Sequence, residues 1–233
     1  MPVLLRSRSH ALVGLVLLLN VTNAQAGSVT GEVTFSGAPP PLPPVKVSKD
    51  QDYCGEILPN EIYLTDSSGG LRNVVVFIEG APGVKGNPRR ENTLENIGCR
   101  YSPRVMAMQK GERLRLKNND PKLHIPHSYI EEKTVFNVSL PFRGTTIDTT
   151  QKIRQAGILK VVCDTHAWML AYIHVFDHPY FAMTDEHGAF AIANLPAGTY
   201  ILKAWHENGG LKSQEIIVPE SGDVRVGFDF TQR

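Results

Sequence analysis

Residues 158–176 read ILKVVCDTHAWMLAYIHVF. Two apolar runs, Ile158–Val162 and Ala171–Phe176, have the length of buried strands. The loop between them, Cys163-Asp164-Thr165-His166-Ala167-Trp168-Met169, carries a thiol, an imidazole and a thioether. Soft sulfur donors with imidazole select copper among the metals a cell offers. A trigonal centre of two histidines and one cysteine, with a weak axial Met, needs one more histidine from a neighbouring strand. His124 and His127 are the candidates. They follow the strand-like run Arg113–Lys117 and the turn chemistry of Asn118-Asn119-Asp120-Pro121.

The rest of the chain agrees with β structure. Ser28–Phe35 alternates, with Val29, Gly31, Val33 and Phe35 on one face. Ala38–Pro44 is an extended proline-rich loop, Val74–Ile78 a buried strand, and Lys85–Glu95 reads as an exposed, charged loop. Val105–Met108 and Val135–Leu140 are further strands. Beyond Asp177 the character changes. Thr184–Gly188 and Pro196–Gly198 are turns between the short strands Ala189–Ala193, Tyr200–Trp205, Ile216–Val218 and Val224–Phe230. No segment combines a helical period with caps, so the expected class is all-β.

The 233 residues carry a formal net charge of +1, which gives no field to argue for nucleic acid or an anionic membrane. The first residues have the pattern of a secretory signal. Arg6 and Arg8 precede the apolar run Ala11–Leu19, and Ala24-Gln25-Ala26 supplies small residues for cleavage after Ala26. The run is shorter than the roughly 20 apolar residues of a membrane span. The mature protein is therefore expected in the periplasm or outside the cell, with no membrane span. In an oxidising compartment thiols pair, and three cysteines leave one over. Cys54 and Cys99 lie in turn-like surroundings and Cys163 ends a strand-like run. A Cys54–Cys99 disulfide is preferred to pairings that consume Cys163. A free thiol in an exported chain calls for a role, and a metal supplies one.

The order of glycine-led strand (Gly111–Leu116), Asn-rich turn, His124 and, far downstream, Cys-x2-His-x2-Met resembles the cupredoxins, with the ligand-loop spacing of amicyanin. The mature chain also resembles the exported plastocyanin-like proteins labelled methylamine utilisation proteins. Their pattern includes paired loop cysteines, Phe136-Asn137-Val138-Ser139-Leu140-Pro141, Asp177-His178-Pro179-Tyr180-Phe181 and Ala204-Trp205-His206-Glu207. The tail resembles a carboxypeptidase-regulatory-like or transthyretin-like sandwich. The resemblance implies a Greek-key sandwich over residues 27–176 and a second small sandwich over 177–233, to which the strand 28–35 is free to add. It implies His124, Cys163 and His166 as equatorial ligands and Met169 as the axial ligand of one copper ion cycling between Cu(I) and Cu(II). Where the family has His-Asn-Val-His, this chain has Ile125-Pro126 in the middle, which makes His127 a fallback ligand.

The function this implies is one-electron transfer to a redox protein partner, not an enzyme, with the outer edge of His166 as the electron port and Ala167 and Trp168 around it. The alternatives are a copper-binding or delivery protein without a redox partner, and a carbohydrate-binding or adhesion module that uses no metal. His178, His206 and Glu207 stand as a candidate second metal site, against ordinary hydrogen bonding at turns and strand ends.

Overall fold

A computed structural model of the chain describes residues 26–83 and 90–231. The expected signal at residues 1–26 lies outside them, apart from Ala26. Among the described residues no helix is long and apolar enough to cross a membrane. The class is all-β, built from four main sheets that stack face to face.

The first sandwich holds two of these sheets. One has the order β10-β9-β12-β13-β7, formed by β7 (Val105–Gln109), β9 (Pro126–Ile130), β10 (Lys133–Asn137), β12 (Gly157–Cys163) and β13 (Leu170–Phe176). The other has the order β11-β8-β5-β6, formed by β5 (Glu91–Ile97), β6 (Arg100–Ser102), β8 (Arg113–Asn118) and β11 (Thr146–Asp148). Leu94, Met108, Leu114, Leu116, Leu159, Val161, Ala171 and Ile173 fill the space between them. The expected loop at Lys85–Glu95 is corrected here. Residues 84–89 lie outside the described set, but Glu91–Ile97 is a strand whose inward face carries Asn92, Leu94 and Asn96.

The second sandwich also draws on both ends of the chain. In one sheet β1 (Ala26–Thr34) lies between β15 (Ala189–Pro196) and β18 (Asp223–Asp229), antiparallel to the former and parallel to the latter. In the other, β4 (Val75–Ile78) lies between β14 (Phe181–Met183) and β16 (Gly198–His206), with β17 (Gly210–Val218) at the edge. Val29, Val33, Val76, Ile78, Ile192, Leu202 and Phe228 form its core. The strand over 28–35 does add to the tail, and β4, also inside 27–176, pairs with β14 and β16, so a boundary at residue 177 does not divide the chain into its sandwiches. The turn at 184–188 is closed by Asp185, whose Oδ1 accepts the N–H groups of His187 and Ala189, both at 2.9 Å. Gly188 completes it with φ +74°, a conformation that disfavours side chains.

The two sandwiches meet sheet to sheet. On β13, Ala171, Ile173 and Val175 face the first core, while Tyr172 and Phe176 face Val75, Phe77, Phe181 and Trp205 of the second. β7 divides in the same way, Met106 and Met108 inward, Val105 and Ala107 outward. Strands covered on both faces read as continuous apolar runs rather than as alternation. A part-buried ion pair, Arg104 to Glu207 at 2.5 and 2.7 Å, joins the two sandwiches.

Beside the first sandwich, β2 (Val45–Lys46) and β3 (Ile57–Leu58) pair around the four-residue helix α1 (Gln51–Cys54). Cys54 and Cys99 form a disulfide that ties α1 to the turn between β5 and β6. Cys163 is the free cysteine, and it is buried.

Candidate metal centre

Cys163 is the last residue of β12 and pairs with Pro126, the first of β9. Proline is tolerated at the start of a strand, where its missing N–H breaks no ladder. His124 stands two residues earlier and is fixed by reciprocal backbone bonds with Leu140, at 3.2 and 2.8 Å. The Asn-rich turn before it is real turn chemistry. Asn118 Oδ1 accepts the Asp120 N–H at 2.9 Å, and Asn118 Nδ2 donates to the carbonyls of Lys122 and Leu140. His166 lies in the tight loop after β12, where its N–H donates to the Cys163 carbonyl and its own carbonyl accepts from Met169.

This arrangement brings His124, Cys163 and His166 together, with one donor atom of each within 4.8 Å of the others. Both histidines present Nδ1 to the sulfur, each at 3.8 Å. Both turn Nε2 to a carboxylate. His124 Nε2 is 2.9 Å from Asp120 Oδ2, and His166 Nε2 is 3.0 Å from Asp50 Oδ2. An ionised carboxylate only accepts, so each Nε2 carries a proton, which in the neutral ring leaves Nδ1 as the nitrogen free to bind a metal beside Cys163. Histidines that bind metals are held this way, the second nitrogen donating to a carboxylate.

The two carboxylates are built differently. The Asp120 side chain is 1% exposed. It accepts from His124, from the N–H groups of Gly98 (2.7 Å) and Cys99 (2.9 Å), and from Tyr53 Oη (3.0 Å). Burial alone would raise its pKa, but those donors outweigh burial and hold it down to about 2. Asp50 has a left-handed backbone, φ 55°, at the start of α1 and does not cap that helix with its side chain. Its carboxylate turns to His166 and to Lys122, which outweigh its desolvation and lower its pKa. The Cys54–Cys99 disulfide sits between these supports, since α1 follows Asp50 and Cys99 donates to Asp120.

Around the sulfur, Ile125 N–H donates to Sγ at 3.4 Å, and Thr165 Oγ1 lies 3.1 Å from it while donating to the Leu123 carbonyl. Burial would raise the Cys163 thiol pKa, but His124, His166, Thr165 and Ile125 outweigh burial and lower it to about 5. His124 is raised: burial works against its charged form and is outweighed by Asp120 and Cys163. The site thus favours a thiolate at neutral pH, the form that binds metals.

The spacing suits a metal ion. With about 2.0–2.1 Å to imidazole nitrogen, about 2.3 Å to thiolate sulfur and roughly trigonal angles, the N···S separation is about 3.8 Å. Met169 is 2% exposed and packs in the same core cluster as Cys163.

Other sequence expectations fare differently. His127 is placed away from this donor group. Its Nδ1 lies 3.1 Å from Asp164 Oδ1 and 2.8 Å from Tyr129 Oη, and its Nε2 lies 3.0 Å from Thr134 Oγ1. Strand alternation accounts for this, because the register that turns Pro126 and Ser128 inward turns His127 to the other face. His166 has no open outer edge. It is fully buried and covered by Asp50, which corrects the electron port expected there. His178, His206 and Glu207 do not come together among the described residues. His206 Nε2 donates to the Ile62 carbonyl, Glu207 binds Arg104, and His178 Nδ1 accepts from Tyr180. Sequence reasoning missed Asp50 altogether, and it read Asp120 only as a turn residue. Asp120 had one local signal, a carboxylate four residues before a candidate ligand.

No family model matches the chain, and no curated protein matches it. Solved structures similar to parts of it include a reduced-state amicyanin mutant (13% identity, TM-score 0.32, 43% of this chain and 97% of that one). Another is a purple cupredoxin from Nitrosopumilus maritimus (24% identity, TM-score 0.28, 32% and 80%). A third is a copper-containing nitrite reductase from Thermus scotoductus (19% identity, TM-score 0.31), where the match covers 42% of this chain and 24% of the reductase.

Proposed function

We propose that this chain is an exported copper protein that carries one electron through His124, Cys163, His166 and Met169. The observation that carries this is the matched pair of histidines. Each aims Nδ1 at the Cys163 sulfur from 3.8 Å and anchors Nε2 on a carboxylate. Copper held there supplies a one-electron couple, Cu(II)/Cu(I). The protein's part is to keep the donor set rigid in both states. Asp120 and Asp50 orient the imidazoles, Ile125 N–H steadies the thiolate, and Met169 is the weak fourth donor.

A carrier is favoured over an enzyme because the histidines are fully buried and Cys163 and Met169 are 3% and 2% exposed, so the donor atoms are closed to a substrate except along the cleft that Met169 lines. The same enclosure disfavours a delivery role, which needs donors a recipient can reach. Export is supported by the disulfide, a bond of oxidising compartments. We take the first sandwich as the copper domain and the second, formed from both ends of the chain, as its support.

Copper titration of the mature protein, followed by visible absorption and EPR, tests the reading. The expected result is one equivalent and an intense thiolate-to-copper band that Cys163→Ser abolishes. A colourless complex, or a band that survives Cys163→Ser, refutes it.

A further inference from the structure

An electron reaches a buried copper site fastest where a group in contact with a ligand also reaches the surface. Neither histidine does so here. Both are fully buried, and each Nε2 is covered by a carboxylate. Trp168 meets both conditions. Its ring contacts His166 edge-on, with centroids 5.0 Å apart. It is only half-buried, and it lines a surface cleft with Pro59, Tyr101, Arg104 and the proposed ligand Met169, which is itself only 2% exposed. The indole is also fixed in orientation, because Nε1 donates to the Cys99 carbonyl at 3.0 Å. A second aromatic ring reaches the same cleft from the sulfur side. Tyr101 donates its hydroxyl to the Val162 carbonyl, next to Cys163.

We propose that Trp168, in the cleft bounded by Pro59, Tyr101 and Arg104, is the electron port of this protein. This rests on the copper reading above and goes beyond it, because it moves the port from the histidine edge to the indole. Electronic coupling falls steeply across gaps and is carried best by conjugated groups in contact with a ligand. The partner is then a one-electron redox protein whose own centre comes against this cleft. In the transfer one electron would leave the partner's reduced centre, and the copper that His124, Cys163, His166 and Met169 would hold supplies the acceptor couple, Cu(II)/Cu(I). No covalent bond forms or breaks, and no proton moves, since both Nδ1 atoms and the thiolate remain donors.

The test is electron self-exchange between oxidised and reduced copper-loaded mature protein, measured by NMR line broadening, so that the protein is its own partner. Trp168→Leu is expected to slow exchange by about tenfold, and Trp168→Phe by less, with the absorption band and reduction potential unchanged. Pro59→Trp, which narrows the cleft and leaves Trp168 in place, is expected to slow exchange. Gln51→Trp, beside Asp50 on the covered side of His166, is expected not to. An exchange rate within about twofold of wild type in Trp168→Leu overturns the assignment, as does slowing by Gln51→Trp but not Pro59→Trp. If Trp168→Leu fails to hold copper, the Pro59 and Gln51 variants decide. A wild type without the thiolate-to-copper band refutes the copper reading itself, a different failure.

Discussion

Asp120→Asn removes one charge from the centre and keeps its shape. The native carboxylate takes donors on both oxygens, Tyr53 and Gly98 on Oδ1, Cys99 and His124 on Oδ2. Asparagine has one oxygen, so its amide must face one of those pairs. Facing Tyr53 and Gly98, it strands a backbone N–H. Facing Cys99 and His124, it strands another and pushes the His124 proton onto Nδ1, the atom that would bind copper. A stranded buried donor costs about 1–3 kcal/mol, and a hydrogen bond to a charged group contributes about 1.5–3 kcal/mol. We expect a loss of about 3 kcal/mol in denaturant unfolding of the metal-free protein, and a fall of about 10–100-fold in copper affinity. Unfolding midpoints at constant m-value, and copper competition against a chelator of known affinity, measure the two. A midpoint and an affinity both equal to wild type would refute the role given to Asp120.

Three further outcomes follow from the same structure. His174 is 2% exposed with Nε2 unpartnered, and burial lowers its pKa from 6.5 to about 3. The unfolded chain takes up this proton first, so stability falls as pH drops from about 6.5 toward 3, by about 4–5 kcal/mol in all; His174→Phe should flatten the pH dependence of the unfolding free energy in that window. Replacing Cys54 and Cys99 by serine opens a 45-residue link and should lower stability by about 4 kcal/mol on the chain-entropy scale; it should also weaken copper binding, and unchanged affinity would show that Asp50 and Asp120 hold their places without it. Glu207→Gln leaves the Arg104 guanidinium, 18% exposed, without its hydrogen-bonded carboxylate, and a loss of about 1.5–3 kcal/mol is expected on thermal or chemical unfolding.

The parts legible in the sequence are those whose neighbours leave a local trace. β1 alternates because one face meets the core, and β4, β7 and β13 are almost continuously apolar, Gln109 and His174 apart, because both faces are covered. β5 hid itself. Its inward face carries Asn92 and Asn96 beside Leu94, so burial left no apolar period and the segment passed for a charged loop. In the centre, Cys163, His166 and Met169 share one loop, and the turn chemistry at Asn118–Asp120 announced His124. Asp50 lies 116 residues from His166 and has no local mark. Its contact depends on how α1 is pinned across the sandwich, and the covering of His166 was invisible for the same reason.

The placement of β1 has a consequence for how the molecule is made. It is the first described strand to leave the ribosome, yet both its hydrogen-bonding neighbours, β15 and β18, are among the last. Through nearly the whole of synthesis it has two open edges, the condition in which strands pair with the wrong chain. β5 to β13 can collapse meanwhile into the first sandwich, which carries the proposed copper ligands. Closure of β1 by β18 then acts as a completeness check: a chain truncated before Asp223 keeps every strand of the first sandwich but leaves one edge of its own first strand open.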